Sequence, residues 1–240
     1  LNIIIHSYCI VKRSSAQVYR AERDNMVLML VGESGTMVSM MVVVNQRDLF
    51  QSAAQHMAYD TEQLAQQPNW RAEYYRWPTP SVTYTYKQTL PPELAVIDHA
   101  QRYTGGGMVF HCPGDIVVCC VAVLDHPDLP KKLKDKVAVT QRHIQAALAR
   151  CGVTTQLNPD AGPRDLMFCQ AYHSPYELYY HGQKIVALSL RCTRTHCLIQ
   201  GIIHLQPTRR WFSLPKGYES VAVDRVPDVD VDVLLAQLHA

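Results

Sequence analysis

The segment "RYTGGGMVFH", residues 102 to 111, sets three consecutive glycines between a basic residue and a β-like run. Each glycine costs roughly 0.5–1 kcal/mol of backbone entropy relative to alanine in regular structure. A run of three therefore points to a task that only bare backbone performs, such as cradling a ligand, or else to a tight turn ahead of a strand. The aromatic run "AEYYRWPTPSVTYTY" supplies apolar area suited to a hydrocarbon chain, with Trp77 and Tyr84 as candidate walls, although ordinary sheet packing accounts for the same residues. His111 with Cys112 and His196 with Cys197 offer ligand types without the spacing of a zinc site, so no resident metal is expected. The eight cysteines are scattered singly apart from Cys119 and Cys120, with no Cys-x-x-Cys pair. That usage predicts reduced thiols and a cytoplasmic protein. Cys119 and Cys120 sit in an apolar run and read as packing residues.

The elements that position these residues come from a chain of 240 residues, 48% apolar and 18% charged, enough to bury the core of one main domain. A net charge of +2 gives neither the electrostatic footprint of a nucleic-acid binder nor a polybasic membrane patch. Lys12, Arg13, Arg20 and Arg23 ahead of "MVLMLV" imitate a signal sequence, but Gly32 and Glu33 interrupt it and no small-residue cleavage site is evident. Either "MVLMLV" and "MVSMMVVV" form a hairpin across "GESGT", or the early residues are an extension that the fold does not need. We expect an extension over 1–38 and a catalytic domain over 39–240 with a short C-terminal tail.

"QSAAQHMAYDTEQLAQQ" places Ala53, Ala54, Met57, Ala58, Thr61, Leu64 and Ala65 at helical spacing, closed by Pro68. "AEYYRW" and "SVTYTY" read as strands, paired as a hairpin around "PTP". "ELAVIDHA" reads as a short helix leading into the glycine loop, which delivers the strands "MVFH" and "DIVVCCVAVL". "LPKKLKDKVAVTQRHIQAALARCG" is a helix with Leu133, Val137, Thr140, Ile144 and Leu148 on one face, Gly152 beyond its end, and lysines on a solvated face. "YELYYHGQKIVALSL" predicts a hairpin turned by His181 and Gly182, followed by the strand "HCLIQGIIHL" and a last helix at "VDVLLAQLHA". The expected fold is α/β of the α+β type, a mostly antiparallel mixed sheet with packed helices.

The ordered blocks "AAQHMAYDTEQL", "EYYRWPTPSVTYTYKQ", "RYTGGGMVFHCPGD" and "YELYYHGQKIV…GIIHL" resemble the catalytic domain shared by lipoate-protein ligases, octanoyltransferases and, more distantly, biotin-protein ligases, over residues 40 to 205. The resemblance implies that Arg102, Thr104, Gly105, Gly106 and Gly107 are the family's acyl- and adenylate-binding loop. Backbone N–H groups there approach carboxylate or phosphate oxygens, and Arg102 supplies a fixed charge to the same anion. His111 ends the motif, either beside the ligand or as a hydrogen-bonded strand residue. Lys184 matches the family's central lysine, whose ammonium offsets charge on the α-phosphate during adenylation. Cys169, ahead of Tyr176 and Glu177, has the spacing of the nucleophile of one octanoyltransferase branch, where Lys184 would support its thiolate; a plain free thiol is the alternative. Asp60 is expected to position the first helix or its neighbours.

The resemblance implies attachment of lipoate or octanoate to a lysine of a carrier. Candidate carriers are the lipoyl domains of 2-oxoacid dehydrogenases and the glycine cleavage H protein. The "TGGG" loop favours ATP-dependent ligation through lipoyl-AMP, with Mg2+ accompanying the nucleotide, and this is the expected reaction, the Cys169 route being its alternative. Cys169 favours an ATP-independent transferase drawing on acyl-carrier protein. One departure stands out: the family commonly follows the lysine with Gly-Ser-Ala, whereas "KIVALSL" places Ala187 and Leu188 there. If the glycine position needs a positive φ or a close ligand approach, Ala187 disturbs it, and Leu188 removes a hydrogen-bonding group, which leaves open an acyl-binding or carrier-docking protein with a degenerate site.

Overall fold

The computed structural model describes residues 50–240 except 128, 158–166, 172, 174 and 175, together with the backbone of five strands upstream. These strands are β1 (Ile3–Ile5), β2 (Tyr8–Ile10), β3 (Gln17–Arg20), β4 (Asn25–Met29) and β5 (Val42–Asn45). β1 pairs with β2, and β3-β4-β5 form an antiparallel sheet in which Val27 faces both Tyr19 and Val43. The "MVLMLV" and "MVSMMVVV" segments thus contribute antiparallel neighbours, while the link between them lies outside the described residues. The chain divides into two units, residues 1–50 and 51–240.

In the larger unit, helix α1 (Ala53–Ala65) starts at a capping box in which the Ser52 hydroxyl accepts the Gln55 N–H and the Gln55 side chain returns to the Ser52 N–H. It stops where Gln67 turns to φ 51 ahead of Pro68. Its inward face departs from the apolar pattern: His56, Asp60 and Gln63 are buried with Ala53, Met57 and Leu64, whereas Ala54, Ala58, Thr61 and Ala65 are exposed. Buried polar groups must be hydrogen-bonded to be tolerated, so this face has partners below it.

β6 (Trp70–Arg76), β7 (Ser81–Thr85), β8 (Asp98–Arg102), β9 (Val109–His111) and β10 (Ile116–Val123) follow. The expected β6–β7 hairpin is not formed. β6 pairs along its whole length with β10, from Arg76↔Ile116 to Trp70↔Ala122, while β7 is flanked by β8 and β9 in a separate three-stranded sheet. The Pro78-Thr79-Pro80 link carries the chain from one sheet to the other. The expected helix at "ELAVIDHA" is likewise replaced, by a 3-10 turn at Pro92–Leu94 and then β8, parallel to β7 from Ser81↔Asp98 to Thr85↔Arg102. Parallel pairing needs a crossover of about a dozen residues, and the link from β7 to β8 supplies it.

Helix α2 (Leu133–Arg150) buries Val137, Thr140, Ile144 and Leu148, but Leu133 is exposed in its first turn. Lys136 is not on a solvated face either: it is buried and donates to the Leu124 carbonyl at 2.7 Å. After β11 (Gln156–Leu157), strands β12 (Leu178–Tyr180) and β13 (Gln183–Cys192) join through His181 (φ 47) and Gly182 (φ 78), two left-handed residues that make the tight hairpin turn. β14 (His196–Ile203), α3 (Thr208–Trp211) and α4 (Val231–His239) complete the chain.

The main sheet runs β11-β12-β13-β14-β10-β6, antiparallel throughout. One face packs Val118, Cys120, Ile199 and Ile203 against Ile144, Leu148, Leu234 and Leu238 of α2 and α4. The other packs Val117, Cys119, Val121 and Leu198 against α1. Among the described residues no helix is long and apolar enough to cross a membrane.

Candidate active site

The glycine loop spans the gap between β8 and β9, and Arg102 at the end of β8 organises it. Its buried guanidinium donates to the Thr83 carbonyl at 3.1 Å, the Thr83 hydroxyl at 3.2 Å, the Gly105 carbonyl at 3.0 Å and the Gly107 carbonyl. Arg102 thus fixes the loop's shape, and what it offers a ligand is charge in the cleft wall. Two glycines have distinct backbone reasons. Gly106 has φ 94, in the left-handed region. A Cβ at Gly107 would overlap the Cys169 amide nitrogen and lie 2.5 Å from the Phe168 carbonyl carbon. The close approach is held by two backbone bonds, Met108 N–H to Met167 O at 2.7 Å and Cys169 N–H to Met108 O at 2.9 Å. We expect Gly107→Ala to push the Cys169 turn away and to destabilise the fold by about 1–3 kcal/mol, as overpacking does. Chemical denaturation measures the cost, and wild-type stability would show that the two segments are not in contact. A Cβ at Gly105, by contrast, would meet nothing within 4 Å.

A buried chain of side chains ties the loop to the sheet and to α1. Asp60 accepts from the Gln200 amide, the Thr104 hydroxyl donates to Gln200 Oε1 at 2.7 Å, and Ser189 donates to Thr104 at 2.9 Å. Gln200 Nε2 also lies 3.6 Å from Met57 Sδ. This accounts for part of the polar inner face of α1. It also gives Asp60 a positioning role in the geometry, reached through Gln200.

Below the loop lies a cleft holding about 440 Å3 of empty space, its open mouth included. Gly105, Gly106 and Cys169 line it beside Met57, Val109 and Ile202. The Cys169 side chain packs with Val109, Ala187 and Ile202. Lys184, near the start of β13, is buried, with its ammonium 2.9 Å from the carboxylate of buried Glu177; it also donates to the Cys169 carbonyl, and its Nζ lies 4.0 Å from Cys169 Sγ. The lysine does not line the cleft itself, so Cys169 stands between the ammonium and the cleft.

His111 is buried, with Nε2 2.8 Å from the Thr83 hydroxyl and its ring stacked 4.3 Å from Trp77. Burial first, then the neighbouring His204, Arg102 and His56, hold its pKa well below the ordinary histidine value, so it is a neutral part of the wall. Trp77 and Tyr84 lie outside the cleft lining. Trp77 is stacked between His56 and His111 with its indole N–H on Ser81, and Tyr84 packs at the edge of the smaller sheet's core. The apolar walls are Met57, Val109, Val117, Ala187 and Ile202.

Ala187 continues β13 in register with Ile202 and has no positive φ. Leu188 packs with the core on the α2 and α4 face, over Gly201 opposite, where an added Cβ would collide with the leucine's Cδ2 and lie 2.8 Å from the Ala187 carbonyl. The strand alternation puts a hydroxyl one residue later, at Ser189, on the loop's side. Ser189, Gln200 and Glu177 were not among the expected site residues; the pairing of β13 with β14 brings Ser189 and Gln200 to the loop, and the β12–β13 hairpin sets Glu177 beside Lys184. Among the described residues no cluster of three or more His, Cys, Asp or Glu is placed to hold a metal ion.

The family model described as lipoyl protein ligase A/B catalytic domain matches residues 80–222, more than half of the chain. Among solved structures, the chain is similar to the T. acidophilum protein Ta0514 with bound lipoic acid (TM-score 0.61, 19% identity, 76% of each chain covered). It is also similar to lipoate-protein ligase A bound with ATP (TM-score 0.55, 19% identity, 76% of each chain). A third similarity is to a bi-partite lipoate protein ligase studied with its E2 lipoyl domain from Thermoplasma acidophilum (TM-score 0.56, 17% identity, 77% of this chain and 75% of that one). At these identities the likeness establishes the shared fold. No curated protein matches the chain.

Proposed function

Because the chain belongs to the lipoyl protein ligase A/B catalytic-domain family, we propose that it attaches a lipoyl or octanoyl group to a lysine of a lipoyl carrier domain, passing the acyl group through Cys169. The observation that supports this reading is the meeting of thiol, cleft and ammonium: Cys169 lines the cleft with Gly105 and Gly106, and its sulfur lies 4.0 Å from Lys184 Nζ. A free thiol is only a few per cent ionised at neutral pH, and a nearby cation favours the thiolate. The thiolate attacks an acyl thioester on a carrier protein, whose thiol leaves. The acceptor lysine's amine then attacks the enzyme thioester, forming the amide and returning the thiolate. Lipoyl domains of 2-oxoacid dehydrogenases or the glycine cleavage H protein are the candidate acceptors, a choice supported by the neighbour studied with its E2 lipoyl domain.

ATP-dependent ligation is the second reading, favoured by the open space beside Gly105, the Arg102 charge next to it and the neighbour bound with ATP. Here lipoate would attack the α-phosphate, pyrophosphate would leave, and the acceptor amine would displace AMP; Mg2+ carried by the nucleotide would offset phosphate charge. Intact-mass analysis of a lipoyl domain incubated with this protein separates the two. We expect octanoyl-acyl carrier protein alone to modify the domain. Modification only with lipoate and ATP transfers the assignment to ligation, and modification by neither donor defeats both.

A further inference from the structure

The 3-10 turn Cys169–Ala171 borders two clefts. Cys169 lines the acyl cleft under the glycine loop, whereas Gln170 and Ala171 line another whose walls include His173, Tyr179, Lys184 and Ser220. Its lining includes exposed Gly182 and Ser220 as well as buried Lys184. Lys184, one of its lining residues, holds its ammonium 4.0 Å from the Cys169 sulfur. The two sides of the turn differ in character: Met57, Val109, Val117 and Ile202 on the acyl side, and Gln170, His173, Tyr179, Gln183 and Ser220 on the other. A hydrocarbon suits the first. A polar chain end that must lose a proton suits the second.

His173 is the group in that cleft able to take a proton. Its Nδ1 is bonded to the Tyr179 hydroxyl, which fixes the ring, and among the described residues nothing is bonded to its Nε2. Lys184 cannot serve, since its ammonium is committed to Glu177 and the Cys169 carbonyl.

We propose that this second cleft admits the acceptor lysine of the carrier domain and that His173 removes the proton from its attacking amine. The proposal rests on the acyl-transfer reading above. The C–N bond forms as the C–S bond to Cys169 breaks, the electron pair stays on sulfur beside the Lys184 ammonium, and the amine proton passes to His173 Nε2, the ring being in the tautomer whose Nδ1–H donates to the Tyr179 oxygen. Tyr179 is a positioning residue that holds the imidazole.

The test separates the two half-reactions. Protein is loaded with octanoyl-acyl carrier protein, the Cys169 adduct is followed by intact mass, and apo lipoyl domain is then added. For His173→Ala we expect discharge to the lipoyl domain to fall about 100-fold more than loading does, the scale of general base catalysis, and added imidazole to restore part of it. Tyr179→Phe should give a smaller loss in the same step. Equal effects on both steps, or discharge at the wild-type rate, overturn the proposal. If Cys169 never loads, the thioester reading fails instead, and the same variants are compared with lipoate and ATP. There, slowed transfer with a normal yield of adenylate still supports the cleft, and unchanged transfer overturns it.

Discussion

Cys169→Ala will lose the enzyme-bound acyl group, and transfer from octanoyl-acyl carrier protein to a lipoyl domain will fall by roughly 10³-fold or more, the order seen when a nucleophile is deleted from a catalytic unit. The fold should survive, because the change removes one sulfur from a small cluster with Val109, Ala187 and Ile202, at a cost of about 1 kcal/mol. Cys169→Ser should be nearly as inactive, since a hydroxyl is a far weaker acid than a thiol and a nearby ammonium does not close that gap. The other buried thiols provide an internal control. Burial, followed by Asp115, pushes Cys112 up, burial raises Cys120 to about 12, and burial also raises Cys197. At neutral pH, iodoacetamide should therefore reach Cys169 through the cleft ahead of those three, and peptide mapping would show it. Full transfer activity in Cys169→Ala, driven by lipoate and ATP, would leave the thiol as a wall residue and the ligation route in its place.

The legible parts of this chain were those whose cause is local. The His181-Gly182 turn announces itself because two adjacent residues supply the left-handed conformations that a tight hairpin demands. The stop of α1 ahead of Pro68 is local in the same way. What stayed hidden depends on residues far apart in sequence. Gly107 is glycine because the chain returns some sixty residues later and lays the Cys169 amide against it. Asp60 on the inner face of α1 meets Gln200 only once β14 is placed beneath the helix. Strands β6 and β7 look like a hairpin because they are neighbours in sequence, yet β6 is taken by β10 along its whole length. The departure at Ala187 and Leu188 illustrates the same limit. Read linearly it suggests a damaged site, whereas in register the leucine fills space over Gly201 on the far face and a hydroxyl at Ser189 reaches Thr104.

Lys184→Met will be both inactive and severely destabilised, and the two losses have different origins. Lys184 and Glu177 are each about 2% exposed at the side chain and 2.9 Å apart, so removing the ammonium leaves a carboxylate buried without its counter-ion. Breaking a buried pair from one side typically costs about 3–5 kcal/mol, against a total stability of roughly 5–15 kcal/mol for a folded protein. The Cys169 carbonyl loses its donor in the same substitution, and the turn that carries the thiol loses a tether to β13. Stability alone would then explain inactivity, so the informative variant is the double one. Lys184→Met with Glu177→Gln removes both charges and should recover much of the lost stability in chemical denaturation, because the orphaned carboxylate is gone. It should not recover acyl transfer, because the ammonium beside the Cys169 sulfur is gone. Lys184→Arg keeps the charge on a planar, forked group that cannot reproduce a single point contact 4.0 Å from the sulfur. It should fold and transfer acyl groups slowly. If the double variant regained wild-type transfer along with its stability, Lys184 would be a structural lysine only, and the chemistry would have to be assigned without it.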